Sequence, residues 1–278
     1  MVRINGNDIT ADGKTVAEYL ESENYRMERI VVEINGNIIP KSTYAETILK
    51  DGDTVEVVSF VGGGWYTMIP SEKDLKAAQA EKQGKELSEK IASATVAVCG
   101  LGGLGSNISI CLARAGIGKL ILTDFDKVDI TNLHRQQYEA SQIGLYKADA
   151  LTENLNEIAP YVKTEKHIVK ITEDNAVELL KEADIICEAF DNPVAKAMLT
   201  NTVLEKLPEK YYVAASGMAG MDSPNTIKTK KLSDKFYLCG DRVSNVEDNI
   251  GLISSRVMLC AAHEAHTIFR IIAEKFDV

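Results

Sequence analysis

The sequence predicts an α/β protein in which a mostly parallel sheet, covered by helices, follows a small domain built on a mixed sheet. Three observations support this fold class. Continuous apolar runs alternate with helical segments after residue 94, hairpin-type turns occur throughout the first 60 residues, and three consecutive glycines separate the two patterns. Strands that are apolar at every position are typical of parallel sheets buried on both faces.

Composition restricts the class of protein further. At 278 residues the chain has room for about two domains of roughly 100–200 residues each. Its net charge of −10, without a basic run, argues against nucleic-acid binding. No stretch approaches the ~20 apolar residues of a membrane span, and the first residues are too polar for a secretory signal. We therefore expect a cytoplasmic protein with no membrane or nucleic-acid partner.

Residues 1–64 are predicted to form a small domain in which a mixed sheet packs on one helix. In order, the elements are a hairpin around Asn5-Gly6, a capped helix from Thr15, a strand over 29–34 closed by Asn35-Gly36, and a last strand over 54–60 after Asp51-Gly52-Asp53. Asn-Gly between two apolar runs is a strong hairpin signal. Thr before an amphipathic segment is typical of a helix start.

Residues 65–93 are predicted to be a linker and helical segment, and residues 94–278 a larger domain. Helix in the first segment is expected to start at Pro70-Ser71 and to break at Gly84. For the larger domain we predict strands over 95–99, 119–123, 184–189 and 211–215, and helices ending at Arg114 and covering 147–158, 193–207 and 251–273. Alternation of apolar strands with helices predicts a parallel sheet covered on both faces.

A glycine-rich loop joins the first strand and first helix of the larger domain. It comprises Gly100, Gly102, Gly103, Leu104 and Gly105, with Leu101 between them. Exposed backbone amides and a helix N-terminus at such a loop can face a phosphate group, which indicates a Rossmann-like nucleotide site. Asp124 ends the second strand, where a carboxylate can accept hydrogen bonds from ribose hydroxyls. These features alone fit a nicotinamide oxidoreductase equally well.

The next segment favours a nucleoside triphosphate over a dinucleotide. Asp126, Asn132, Arg135 and Gln136 follow closely, and Lys147 comes at the start of a helix. Arginine can make forked contacts with phosphate oxygens, and Asn132 and Lys147 add a donor and a second cation.

Another pair of polar residues ends a later strand. Asp191 and Asn192 follow the predicted strand over 184–189, at the strand end where open α/β sheets bind ligands. A carboxylate there can hold Mg²⁺ while phosphates and water complete the shell. The chemistry indicated is that of a nucleoside triphosphate with Mg²⁺.

These motifs resemble the ThiF/MoeB branch of the ubiquitin-activating-enzyme-like superfamily over residues 68–278. The matching pieces are GLGGLGS at 100–106, DFDxVxxxNLxRQ at 124–136, Gly144 with Lys147, and FDN at 190–192. The resemblance implies that the glycine loop and Asp124 bind adenosine, that Asn132, Arg135 and Lys147 hold the phosphates, and that Asp191 binds Mg²⁺ near the attacked α-phosphate. It also implies a homodimer.

Residues 1–64 resemble ThiS, a β-grasp (ubiquitin-like) sulfur carrier, through the strand pattern and the terminal VSFVGGG at 58–64. The tail Gly62, Gly63 and Gly64 is thin enough to reach a buried phosphate. The two resemblances together imply ATP-dependent adenylation of the C-terminal glycine of a ThiS-like carrier. That step prepares a thiocarboxylate for thiamine (thiazole) biosynthesis, with a sulfur donor protein as further partner.

In the uncut chain, Gly64 has no free carboxylate to be adenylated. Its carbonyl is in a peptide bond to Trp65, and an amide carbonyl cannot attack phosphorus as a carboxylate does. Three outcomes follow. The chain is cut after Gly64, the larger domain serves a separate carrier in trans, or the fusion is a scaffold that does not turn over.

The cysteines bear on zinc and on sulfur transfer. No CxxC pair is present, so we do not expect the structural zinc site of the family. Cys239 is expected in a loop after the central sheet, between the lysine-containing segment 228–231 and Gly240. Cations near it could lower the pKa of its thiol. The resemblance implies a sulfur-transfer role for such a cysteine, and a packed, inert thiol is the alternative.

Other functions remain open at the level of sequence. Activation of a molybdopterin or other sulfur carrier uses the same chemistry. A carrier–scaffold fusion would bind nucleotide without turnover, and a nicotinamide oxidoreductase would bind NADH instead of ATP.

Overall fold

The computed structural model of the protein describes residues 1–23, 25, 27, 30–59, 69–246 and 251–278. The chain divides into two compact units, Met1–Pro70 and Ser71–Val278. The helical part of the predicted linker segment therefore falls within the second unit. The predicted tail of Gly62, Gly63 and Gly64 lies outside the described residues.

The first unit is a mixed sheet packed on a helix. Its elements are β1 (Val2–Ile4), β2 (Asn7–Ile9), α1 (Val16–Ser22), β3 (Ile30–Ile34), β4 (Asn37–Ile39) and β5 (Thr54–Ser59). The sheet order is β2-β1-β5-β3-β4, with β1 and β5 parallel and the other neighbours antiparallel. The β-grasp arrangement predicted for this part of the chain is confirmed.

Local sequence explains the turns and the helix start of the first unit. Asn5 and Gly6 both have positive φ, 48° and 82°, and Asn35 and Gly36 repeat this at 51° and 83°. Positive φ at both central residues is the hairpin geometry that Asn-Gly favours. Thr15 caps α1 in a reciprocal capping box with Glu18.

The second unit alternates strands and helices. Its elements are α2 (Glu72–Gln83), α3 (Lys85–Ser93), β6 (Thr95–Cys99), α4 (Gly103–Arg114), β7 (Lys119–Thr123), α5 (Lys147–Ile158), β8 (Lys163–His167), α6 (Ala176–Leu180), β9 (Ile185–Glu188), α7 (Pro193–Lys206), β10 (Tyr211–Ala215), β11 (Lys228–Lys231), β12 (Phe236–Gly240) and α8 (Ser254–Ile272). The sheet order is β11-β12-β10-β9-β6-β7-β8, and only the β11–β12 pair among these is antiparallel. The predicted Rossmann-like sheet is confirmed.

Helices cover the central strands on both faces. Val96 and Val98 of β6 belong to the core cluster that includes α4 and α8, whereas Ala97 and Cys99 belong to the cluster that includes α7. This two-sided burial explains why β6 is apolar at every position. Within the described ranges, no helix combines the length and apolar character needed to cross a membrane.

Chain order within the sheet determines where a ligand can bind. β6 leads outward to β7 and β8 on one side, while the chain returns to β9 on the other side of β6. The connections that leave the carboxyl ends of β6 and β9 therefore diverge, and a crevice opens between them.

Candidate functional site

A cleft of about 1040 Å³ opens at the carboxyl ends of β6, β7 and β9. This volume is at the upper end of ligand pockets, which measure roughly 300–1,000 Å³. The predicted site residues that line it are Gly100, Gly102, Gly103, Leu104, Asp124, Asp126, Arg135, Gln136, Lys147, Asp191 and Asn192. Residues up to 92 positions apart in the chain (100 to 192) therefore meet in one place.

The glycine loop fits tightly against the neighbouring strand ends. Gly100 has φ +93°, and a Cβ there would lie 2.9 Å from the Ala189 carbonyl oxygen. A Cβ on Gly103 would lie 2.9 Å from Val257 and 3.6 Å from the Arg135 side chain. Glycine is therefore required at position 100, where both φ and space exclude a side chain. The first N–H groups of α4, which have no intrahelical acceptors, begin at this loop.

Gly105 has a packing role instead of lining the cleft. It lies in the first turn of α4, and a Cβ there would be 1.8 Å from the Gly100 carbonyl oxygen. Gly105 is not among the residues that line the cleft, and nucleotide contact by its backbone stays a prediction. Its lack of a side chain lets α4 approach the end of β6.

Asp124 is a buried carboxylate at the end of β7. One oxygen accepts a hydrogen bond from the Leu101 N–H at 2.7 Å and the other from the Asp126 N–H at 2.8 Å. Burial raises the pKa of Asp124, while the charge of Lys147 and these hydrogen bonds lower it. Asp124 thus ties the glycine loop to the end of β7 and still lines the cleft.

Arg135 and Asp191 both line the cleft. Arg135 Nη1 donates to the Thr131 carbonyl at 2.9 Å. Burial lowers the pKa of the Arg135 guanidinium, and the negative charge of Asp191 opposes this shift. The cation and the exposed carboxylate are therefore close enough to interact across the cleft.

Lys147 is the first residue of α5 and is largely buried. Its Nζ lies 3.1 Å from Asp126 Oδ2, with the lysine side chain 9% exposed and the aspartate side chain 50% exposed. The backbone N–H of Lys147 donates to the Asp126 carbonyl at 2.9 Å. The ammonium group is thus held at the cleft wall by a carboxylate that water can reach.

The turn after β9 carries Asp191 and Asn192. Asn192 Oδ1 accepts from the Ala195 N–H at 2.9 Å and caps α7, which begins with Pro193. Asp191 is exposed and lines the cleft. A single exposed carboxylate facing cations suits Mg²⁺, which is commonly held by one or two carboxylates together with substrate phosphates.

Two buried polar atoms at the cleft have no hydrogen-bond partner among the described residues. They are Thr123 Oγ1 and Gln136 Oε1, both in cleft-lining residues. A buried acceptor without a partner costs about 1–3 kcal/mol. The glycine loop and the cations of Arg135 and Lys147, rather than these two enclosed atoms, fit a polar, anionic ligand.

Asn132 does not belong to the cleft wall. Its Oδ1 accepts from the Asp129 N–H at 3.1 Å, and the Asp129 carboxylate accepts from the Thr131 N–H at 2.9 Å. This capping arrangement closes a 3-10 turn over Ile130–Asn132. The phosphate contact that the resemblance implies for Asn132 stays a prediction, and in the structure its side chain stabilises the turn that precedes Arg135.

The expected setting of Cys239 is wrong. It lies in β12, paired with Ala215 of β10, and is fully buried. Burial, and then the charge of Glu264, raise its pKa to about 12, against weaker opposing hydrogen bonds from Thr229 and Thr267. The sulfur that was expected in a loop is packed inside the sheet, which favours the alternative of a packed thiol.

The sequence analysis did not predict the ion pair between Lys196 and Glu188 at the cleft. Lys196 Nζ lies 3.0 Å from each carboxylate oxygen of Glu188, whose side chain is 1% exposed. A glutamate inside the apolar strand 185–188 was the available signal, because a buried carboxylate needs a partner.

The sequence analysis also did not predict the part of the cleft wall that follows β10 and β12. It consists of residues 216–219 and 242–246. Asp241, beside this wall, pairs with Arg256 of α8 at 2.5 Å, and both side chains are buried. These residues carry no compact motif, so only the folded chain shows that they approach the glycine loop.

Comparison with known proteins agrees with this architecture. The model of the ThiF family matches residues 75–275, and the model of the ThiS family matches residues 2–64. The ThiF match covers more than half of the chain, so the protein belongs to the ThiF family. The first unit is a ThiS-like β-grasp domain.

Curated relatives are similar over part of their length. An "Adenylyltransferase and sulfurtransferase MOCS3" from Culex quinquefasciatus is 39% identical over 121 residues, which are 43% of this chain and 28% of the relative. An "Adenylyltransferase and sulfurtransferase UBA4" from Lodderomyces elongisporus is 28% identical over 206 residues, 72% of this chain and 43% of the relative. The chain thus spans less than half the length of these relatives.

Solved structures show the same fold at low sequence identity. The E. coli tRNA N6-threonylcarbamoyladenosine dehydratase TcdA, in complex with ATP, has a TM-score of 0.66 at 21% identity over 73% of this chain and 95% of TcdA. E. coli MccB with ATP has a TM-score of 0.56 at 20% identity over 71% of this chain and 64% of MccB. At these identities the likeness establishes the fold.

Proposed function

We propose that the protein uses ATP to adenylate the C-terminal glycine carboxylate of a β-grasp sulfur carrier. The observation that carries the proposal is the convergence of Arg135, Lys147 and Asp191 on the glycine loop at the switch point of the sheet. The names of the curated relatives, adenylyltransferase and sulfurtransferase, support the same chemistry.

The reaction exchanges a phosphoanhydride bond for a mixed carboxylic–phosphoric anhydride bond. A carboxylate oxygen of the glycine attacks the α-phosphorus, an acyl–phosphate bond forms, and the bond to the β-phosphate breaks with release of pyrophosphate. Catalysis of such a transfer is mostly positioning and neutralisation of charge. Arg135 and Lys147 place positive charge beside the phosphates, and the glycine loop with the start of α4 supplies backbone N–H donors.

Asp191 is the residue that would hold Mg²⁺, which supplies neutralisation of phosphate charge when bound. The Asp191 side chain is exposed to the cleft and lies within electrostatic reach of Arg135. Its turn packs on Gly100, so carboxylate and phosphate-binding loop are fixed relative to each other. Cation, carboxylate and amide donors thereby act on the same phosphates.

The carrier is either a separate protein in trans or the first unit after cleavage behind Gly64. Both routes supply the free glycine carboxylate that the uncut chain lacks. The match of residues 2–64 to the ThiS family supports a carrier of the thiamine (thiazole) type. The intact mass of the protein isolated from cells distinguishes the two routes, since only cleavage yields a fragment ending at Gly64.

ATP–pyrophosphate exchange in the presence of a carrier ending in glycine tests the proposal. Arg135→Ala and Asp191→Ala should each lower exchange by ~100-fold or more, as loss of one charge-stabilising group does. Arg114→Ala is the matched control, because Arg114 is exposed at the far end of α4. Unchanged exchange in both cleft variants would refute the site, and ATP binding without exchange would favour a scaffold.

A further inference from the structure

Lys196 is a cleft-lining lysine whose ammonium group is fully engaged by the protein. Its Nζ lies 3.0 Å from both oxygens of Glu188 and 3.0 Å from the Ala215 carbonyl oxygen. An ammonium group has three N–H donors. These three acceptors use all of them, so Lys196 does not have a donor left for a phosphate or carboxylate ligand.

The position of Lys196 in its helix is electrostatically unfavourable. It lies in the first turn of α7, which begins at Pro193. The N-terminal turn of a helix carries partial positive charge and favours anions. The buried Glu188 carboxylate compensates for this, which indicates that the pair has a specific structural task at the start of α7.

Glu188 connects the pair to the backbone that carries Asp191. Its Oε1 also accepts a hydrogen bond from the Phe190 N–H at 2.6 Å. Phe190 directly precedes Asp191, and its ring would lie 3.0 Å from a Cβ on Gly100. The pair thus links the ends of β9 and β10 and the start of α7 to the turn that presents Asp191.

We propose that Glu188 and Lys196 are positioning residues that hold the turn 189–191, and through it the Asp191 carboxylate, in the orientation that binds Mg²⁺ with ATP. This inference rests on the proposed role of Asp191. Partners of metal-binding groups typically change metal affinity or activity 10–100-fold when they are removed. The pair acts through the turn and does not itself contact ATP.

The double variant Glu188→Gln/Lys196→Met tests this role. It removes both charges together, so no uncompensated charge stays buried and the fold is retained. Calorimetric titration with ATP, at increasing Mg²⁺, measures how much Mg²⁺ is needed to strengthen ATP binding. We expect the half-maximal Mg²⁺ concentration to rise 10–100-fold, with ATP binding in the absence of Mg²⁺ unchanged.

Glu178→Gln/Lys181→Met is the matched control, because this exposed pair at 2.6 Å lies outside the cleft lining. It should respond to Mg²⁺ as the wild type does. If the double variant does not fold, Glu188→Asp keeps both charges but withdraws the carboxylate from Phe190, and it should also need more Mg²⁺.

Two results would overturn the inference. One is a wild-type Mg²⁺ response in the folded double variant or in Glu188→Asp. The other is ATP binding by the wild type that does not depend on Mg²⁺ at all. Failure of the adenylation proposal is distinguishable, since it would show as Mg²⁺-dependent ATP binding without pyrophosphate exchange.

Discussion

The cleft contains two lysine–carboxylate pairs that differ in how far the protein satisfies them. Lys196 is bound by both oxygens of a fully buried glutamate and by a backbone carbonyl. Lys147 lies 3.1 Å from one oxygen of Asp126, whose side chain is 50% exposed. Lys196 has three acceptors and no donor left for a ligand, whereas Lys147 has one acceptor among the described residues and is the lysine proposed to contact phosphates. Burial alone therefore does not identify a ligand-binding lysine, and the number of its acceptors must be considered.

The largest difference between the pairs is expected in stability. Lys196→Met leaves the buried Glu188 carboxylate without its cation, and breaking such a pair typically costs about 3–5 kcal/mol. Urea unfolding followed by circular dichroism measures this loss of unfolding free energy. If Lys196→Met lost no more unfolding free energy than the control Lys181→Met, the buried pair would be no more stabilising than an exposed one, and the prediction would be wrong.

The opposite pattern is expected for Lys147. Lys147→Met should lower ATP–pyrophosphate exchange by roughly 100-fold, as loss of one preorganised charge-stabilising donor does. Its unfolding free energy should change far less than that of Lys196→Met, because Asp126 remains in contact with water. Steady-state exchange assays and urea unfolding of the same preparation provide both values. Normal exchange in a folded Lys147→Met would exclude a role in phosphate binding.

A third ion pair, between Arg256 and Asp241, is expected to make the free energy of unfolding depend on pH. Burial raises the pKa of Asp241, but hydrogen bonds from Val243, Ser244 and Arg256 outweigh it and lower the pKa to about 2. The stabilisation from this carboxylate is therefore complete above 3.8, the ordinary pKa of an aspartate in the unfolded chain, and disappears as the pH falls through about 2. It amounts to roughly 2 kcal/mol.

Asp241→Asn is the corresponding variant. The difference in unfolding free energy between the wild type and Asp241→Asn should be constant between about pH 5 and 7 and should narrow below about pH 4. Urea midpoints at about pH 6 and about pH 2.5 measure this. A difference that does not depend on pH would contradict the lowered pKa of Asp241.

The smallest effect is expected for Asp126→Asn. Because Asp126 is half exposed, its pair with Lys147 should contribute about 0–1 kcal/mol to stability. Unfolding free energy should therefore stay close to that of the wild type, as measured by urea unfolding. A loss as large as that of Lys196→Met would show that the two pairs are equivalent after all.

Local signals explain what could be predicted from the sequence. The glycine loop at 100–105 and the turns at Asn5-Gly6 and Asn35-Gly36 are recognisable because their backbone conformations need particular residues. The central strands are recognisable because burial on both faces leaves them continuously apolar. The part of the cleft wall at the ends of β6, β7 and β9 follows from these elements, since parallel strands end at the same edge of the sheet.

The features that the sequence did not predict depend on contacts between distant residues or on local hydrogen bonds that turn a side chain away from the cleft. Lys-rich β11 lies at a sheet edge, where charged residues are favoured, so neither it nor its neighbour β12 was predicted, and Cys239 was placed in a loop. Asn132 caps its own turn instead of facing the cleft. The partner of Glu188 is eight residues further along the chain, in the next helix, and only the packing of α7 on β9 brings Lys196 to it.

Mass spectrometry of a carrier protein with a free C-terminal glycine, after incubation with this protein and ATP·Mg²⁺, tests the central claim most directly. Carrier-activating adenylation predicts an AMP adduct on the carrier that is absent with Arg135→Ala. An unmodified carrier, under conditions in which the wild-type cleft binds ATP, would contradict it.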